Sequence, residues 1–187
     1  MTAATNDAEL IRRIAGMDQL ALRALIGRHQ VRTFRFLMRL VRDEAQAEEL
    51  TNEVFMEVWR NAGRYEGRSQ VGTWLLSIAR NRAISRLRKR RDLGWDEDAA
   101  AEIADDDDDP EVVAQKHDKA TALRRCMDEL STEHREIIDL VYYQEMSVSE
   151  AAEIVSIPEN TVKTRLYYAR KKLSELMLAK GIDRGWP

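Results

Sequence analysis

From Asp92 to Glu111 the chain carries eleven Asp or Glu and not one Lys or Arg, a stretch across which no compact domain can be drawn. The segment GWDEDAAAEIADDDDDP has almost no large apolar side chains, so burial would not offset the entropy lost in ordering its backbone. It predicts a linker over 93–110 that separates an N-terminal domain, 1–92, from a C-terminal one, 111–187. Immediately upstream the sign reverses: Gly67 to Arg91 holds eight Lys or Arg and no acid. The formal net charge of -3 therefore averages over opposed blocks and says little about either.

Glycine and proline number only 8 and 3 in 187 residues, and alternating β-branched runs are almost absent. Both facts predict an all-α protein of two small helical bundles. In the first half Leu10, Ile11 and Ile14 mark a short helix, and Leu22, Leu25, Ile26, Phe34, Leu37, Met38 and Val41 mark a second from Leu20 to Val41. Asp43 is placed to cap a third, in which Ala47, Leu50, Val54, Phe55, Val58 and Trp59 recur at three and four. The glycine-flanked RYEGRS breaks that pattern. A fourth helix follows, with Trp74, Leu75, Ile78, Ala79, Ile84 and Leu87 as its expected apolar stripe and arginines opposite.

In the second half Val112 to Glu129 and Glu133 to Tyr143 read as helices, the latter capped by Ser131. Ser147 to Glu150 has the Ser-x-x-Glu form of a capping box and opens a helix through Ala151, Ala152, Ile154 and Val155. Ser156 and Ile157 turn the chain. Pro158 suits the first position of the last helix, because its missing N–H would be unpaired there anyway. A short helix with small residues, a tight turn and a second helix with buried positions four apart form the helix-turn-helix pattern.

On that second helix Val162, Leu166, Ala169 and Leu173 share one face. Asn160, Thr164, Tyr167, Tyr168 and Lys171 then point away, flanked by Lys163 and Arg170 on one side and Thr161 and Arg165 on the other. Such a set suits a DNA major groove: Lys and Arg reach phosphates or guanine edges, Asn pairs with adenine, and Thr or Tyr touches a thymine methyl. The fourth helix offers a second cationic surface, Arg80, Arg82, Arg86, Arg88, Lys89, Arg90 and Arg91, beside Asn81 and Ser85, suited to a phosphate backbone. Two such surfaces joined by a tether can span separated sites on one duplex.

Four segments together, AEELTNEVFMEVWRN at 47–61, TWLLSIARNRAISRLRKRR at 73–91, LSTEHREIIDLVYY at 130–143 and the helix-turn-helix, resemble the extracytoplasmic-function (ECF) sigma factors of bacterial RNA polymerase. The resemblance runs from about Leu10 to Leu178. It implies that the halves are sigma regions 2 and 4, and that Glu48, Glu49, Asn52, Glu53, Phe55 and Glu57 dock on the clamp of the polymerase largest subunit. It implies that the loop Arg64 to Gly72 and the following helix, with Arg68, Arg80, Asn81, Arg82, Arg86, Arg88 and Lys89, recognise and open the minus-ten element, where an extruded base enters a protein pocket. Trp74 is expected in the core there. The base-reading positions for the minus-thirty-five element fall on Lys163, Thr164, Tyr167 and Tyr168, within the face chosen by helical arithmetic. Tyr168 stands where the family often has Arg, and Ser156 where the turn often has Gly, which predicts a slightly different turn. The resemblance also implies contact with the flap of the second-largest polymerase subunit, promoter DNA as ligand, an anti-sigma factor as partner and a stress-response role. Asp105 to Asp109 read either as an RNA mimic or as a solvated tether.

The chain shows no nucleophile with a base, no phosphate loop and no paired catalytic carboxylates, so no enzyme is expected. Cys126, the single cysteine, reads as a small buried residue, and His29, His117 and His134 lack ligand spacing, so neither metal nor cofactor is expected. No signal-peptide core and no run of about 18 apolar residues occurs, which predicts a cytoplasmic protein without membrane insertion. Two other readings remain. An ordinary helix-turn-helix regulator would leave segments 47–61 and 80–91 without a role, and a decoy for an anti-sigma factor would need no basic DNA-facing helices.

Overall fold

The computed structural model describes residues 6–92 and 121–181. The expected linker with Asp105 to Asp109, the beginning of the helix expected from Val112, and the tail beyond Gly181 lie outside the described residues. The chain divides into two compact units, and every described regular element is helical.

In the first half α1 (Asp7–Ala15), α2 (Gln19–Val41), α3 (Glu44–Asn61) and α4 (Val71–Asp92) follow one another through short connections. Each of the first three starts on a side-chain cap that satisfies an otherwise unpaired N–H. Asn6 accepts from Ala8, Asp18 from Leu20 and Ala21, and Asp43 from Gln46. The central α2 packs against α1, α3 and α4. Leu10, Ile11 and Ile14 of α1, Leu25, Phe36 and Leu37 of α2, Leu50 of α3 and Leu75 of α4 are fully buried where these helices meet.

Phe55 is only 5% exposed and packs in the core, as its place in the apolar stripe of α3 required. One expectation changes here. The inward stripe of α4 is Val71, Leu75, Leu76, Ala79 and Ala83, while Trp74, Ile78, Ile84 and Leu87 are half-buried. The first two turns of α4 are apolar nearly all round, so periodicity alone leaves the rotation of the helix open. Ala79 and Ala83 decide it, because small side chains let α4 approach its neighbours closely.

In the second half α5 (121–128) is followed by α6 (Thr132–Ile138), which starts on the expected Ser131 cap. It continues in one wider π turn over Asp139–Tyr143, closed by the Gln144 N–H donating to the Asp139 carbonyl at 2.9 Å. Then come α7 (Val148–Val155) and α8 (Glu159–Ala179). The core of this half joins Cys126, Met127, Leu130, Ile138, Ala169 and Leu173, with Leu123, Leu166, Leu176 and Met177 packed on it. Burial pushes the Cys126 thiol above its ordinary pKa, as befits a packing residue.

The capping box forms as the spacing requires: the Ser147 N–H donates to the Glu150 carboxylate at 2.9 Å, and the Glu150 N–H to the Ser147 hydroxyl oxygen at 3.2 Å. At the turn Ser156 takes φ 57, the left-handed conformation that glycine adopts readily. Pro158 sits one position earlier than expected, as N-cap of α8, with its carbonyl accepting from Thr161 and Val162.

Candidate nucleic-acid interface

The rotation of α8 is set by Val162 and Ala169, which are wholly buried, and Leu173, which nearly is. Asn160, Lys163, Thr164, Tyr167, Tyr168, Arg170 and Lys171 are consequently exposed, the two tyrosines at 64% and 54%. Their rings meet edge to face with centroids 5.3 Å apart. Thr164 donates its hydroxyl to the Asn160 carbonyl at 2.9 Å, which leaves its oxygen as an acceptor. The two flanks differ. Lys163 and Arg170 are open to solvent, whereas Thr161 is half-buried and Arg165 lies 3.2 Å from Glu133 of α6. A ligand on this face would therefore meet its strongest available charge along the Lys163 side.

On α4 the expected DNA-facing residues fall into two groups. Asn81, Ser85, Arg88 and Lys89 are exposed on the outer side. Arg82 and Arg86 instead turn towards α3. Arg82 donates from Nε to Glu57 at 2.8 Å and lies 3.4 Å from Glu53. Arg86 donates to Glu49 and to Glu53, both at 2.9 Å. The hydrogen bond from Arg86 holds Glu49 below the ordinary carboxylate range, and the same bond raises Arg86. Arg80 is half-buried, and Arg68 is exposed and paired with Glu66 at 2.6 Å.

The expected docking residues divide in the same way: Glu49, Glu53 and Glu57 face α4, while Glu48 and Asn52 face solvent. Met56, 48% exposed, continues the outward row four residues beyond Asn52 and was not picked out from sequence. Its signal was the i, i+4 spacing of Glu48, Asn52 and Met56 opposite the buried stripe. A second omission is Tyr65. Its hydroxyl donates to the Ser69 carbonyl at 2.5 Å and its ring tilts against Trp74 with centroids 5.1 Å apart, which closes the loop between them. Gly67, at φ 71, makes that closure possible. Trp74 is thus half-buried under the loop, not enclosed in the core.

Among the described residues no helix is long and apolar enough to cross a membrane, and no group of three or more His, Cys, Asp or Glu could hold a metal ion. The family model for sigma-70 region 2 matches residues 25–92, and that for sigma-70 region 4 matches residues 120–173. The chain is 33% identical over 165 residues to the ECF RNA polymerase sigma factor SigK of Mycobacterium sp. strain KMS, covering 84% of this chain and 83% of that one. To SigK of Mycobacterium tuberculosis it is 30% identical over 168 residues, 88% of this chain and 89% of that one. In fold it is similar to the sigma factor RpoE from Bartonella quintana, solved in complex with the anti-sigma factor NepR, with a TM-score of 0.67, 24% identity and coverage of 87% and 98%.

Proposed function

Because the chain belongs to the ECF RNA polymerase sigma factors of the sigma-70 family, and is an alternative sigma factor that directs promoter-specific transcription initiation, we propose a division of labour between its halves. Residues 1–92 act as the region 2 domain, 93–110 as a linker and 111–187 as the region 4 domain, a division supported by family matches at 25–92 and 120–173. Region 2 docks on the polymerase clamp through α3, chiefly by the outward Glu48, Asn52 and Met56, with Glu49, Glu53 and Glu57 beside them. It holds the minus-ten element through Arg68, Arg80, Asn81, Arg82, Arg86, Arg88 and Lys89, with the loop closed by Tyr65 alongside. Region 4 meets the flap of the second-largest subunit and lays α8 in the major groove of the minus-thirty-five element.

The observation that carries this reading is the outward face of α8, where Asn160, Lys163, Thr164, Tyr167, Tyr168, Arg170 and Lys171 are all exposed. A helix that served only to cover its own core would gain nothing from two neighbouring exposed tyrosines. Sigma factors are non-enzymatic initiation factors, and the chain acts without catalysis of its own, in the cytoplasm with the polymerase. The likeness in fold to a sigma factor solved with its anti-sigma factor supports control by such a partner in a stress response. The test is to add the purified chain to core RNA polymerase on genomic templates. Promoter-specific transcripts starting at a common pair of upstream elements are expected; an ordinary duplex-binding regulator or a decoy would produce none.

A further inference from the structure

From Gln19 to Arg42 the chain carries six arginines and no acid, a block that neither the docking row of α3 nor the DNA-facing rows of α4 and α8 includes. Within it Leu20, Ala24, Gly27 and Val31 follow at intervals of four, three and four. That spacing puts them within an arc of about 60° on α2. All four are exposed, Leu20 at 68% and Val31 at 62%. Half-buried Phe34 continues the spacing, and Met17, 63% exposed, stands just before the helix. Single exposed apolar side chains are ordinary on a protein surface, but a contiguous row at three and four is the seam of a helix that packs on a second helix.

Gly27 marks where that second helix comes near. It sits in the interior of a 23-residue helix, where glycine is a poor helix former, and a Cβ built on it would meet nothing within 4 Å. Packing among the described residues therefore gives no reason for glycine. A close approach by another backbone does. The charge beside the seam says what carries that backbone: Arg23 lies on one flank, Arg28 and Arg35 on the other, all exposed. Arg28 already meets the Asp7 carboxylate at 2.6 Å, so this flank has shown that it takes an acid. We infer that the outward face of α2 docks an amphipathic helix of a partner protein, with small or aliphatic residues at every third and fourth position and Asp or Glu on both flanks. A second copy of the chain would set arginine against arginine and be repelled. Nucleic acid would lay its phosphates over Leu20 and Val31, with the cations only at the edges. The chain's own acidic run, GWDEDAAAEIADDDDDP, lacks the large apolar side chains to fill the seam.

The probe is a labelled synthetic helix of about three heptads, with Leu and Ala alternating at the a and d positions and Glu at e and g. Its binding to the full chain is followed by fluorescence anisotropy. It should bind saturably, and a peptide of the same composition in shuffled order should bind at least about tenfold more weakly. Leu20→Ser with Val31→Ser should weaken binding by about tenfold or more, through apolar area that can no longer be buried. Arg23→Glu should weaken it about fivefold and should improve binding of a peptide with Lys in place of Glu. Gly27→Gln is the decisive variant. It should raise the urea midpoint of the N-terminal half, because glutamine is the better helix former, while weakening the peptide by about tenfold or more. A glycine with only a structural role would not move stability and binding in opposite directions. Absence of saturable binding, equal binding of the shuffled peptide, or an affinity that Gly27→Gln leaves unchanged would overturn the proposal. So would self-association of the wild-type chain that Gly27→Gln removes, or binding of short DNA that Gly27→Gln abolishes, since each names a different occupant. A gain in peptide affinity of about tenfold on replacing Asp105 to Asp109 by Asn would overturn it too, in favour of the chain's own acidic run.

Discussion

The Ser147 hydroxyl donates to the Glu150 carboxylate at 2.7 Å while the Glu150 N–H returns to the Ser147 oxygen at 3.2 Å. These reciprocal bonds start the first helix of the helix-turn-helix and so set where its turn falls. Ser147→Ala removes the hydroxyl and should cost about 1 kcal/mol. Amide exchange at Glu150 and the following turn of α7 should accelerate about fivefold in response. Unchanged exchange would show that the box does not hold the helix start.

Ser156 pays for its left-handed backbone with a Cβ where glycine has none. Ser156→Gly should therefore stabilise the C-terminal half by about 1 kcal/mol, the relief of the Cβ clash exceeding the entropy that glycine adds to the unfolded chain. Denaturant unfolding followed by a probe in that half measures it. A loss of stability would mean that the serine side chain contributes more at the turn than its backbone costs.

Lys163 and Arg170 line the open flank of α8. Removing both with Lys163→Ala and Arg170→Ala should weaken binding to promoter duplex and flatten the logarithmic salt dependence by about 1.8, at about 0.9 per phosphate contact. Asn81→Ala, on the other domain, should leave duplex binding nearly intact and slow strand opening, as read by permanganate reactivity of unpaired thymines. Equal effects of the two on duplex binding would contradict the separate roles.

Four carboxylates of the first half are held below their ordinary range. Burial pushes Asp7 up, but hydrogen bonds from Arg28 and His29 more than reverse it. Arg13 with the Ala21 N–H holds Asp18 down, Gln46 does so for Asp43, and Arg86 for Glu49. With folded values below unfolded ones, the unfolded chain takes up protons first as pH falls. The stabilisation is fully present above the unfolded carboxylate range, about pH 4, and is lost as pH falls through the folded values. The urea midpoint of this half should stay level from about pH 7 to 5.5 and decline below about 4.5. A midpoint that is flat or rises in acid would refute the assignment.

Helix positions, caps and the outward face of α8 were legible because each rests on local rules: apolar spacing, a capping residue, about 100° of rotation per residue. What was not legible depends on packing between helices. Phe55 fell both in the apolar stripe of α3 and among the docking residues, and only packing shows that it is buried while Met56, one position on, is exposed. The arginines of α4 looked like one cationic face, but the inward fit of Ala79 and Ala83 rotates Arg82 and Arg86 against α3. The π turn at Asp139–Tyr143 carries no pattern that separates it from the α-helix it extends.

The most direct test replaces Tyr167 and, in a second variant, Asn81 with a photocrosslinking residue, assembles each with core polymerase on one promoter and maps the adducts. Adducts from position 167 on duplex DNA at the minus-thirty-five element, and from position 81 on the opened strand at the minus-ten element, are the expected result. Adducts from both positions at a single element, or none that require the polymerase, would contradict two separate DNA-holding domains on a polymerase-bound chain.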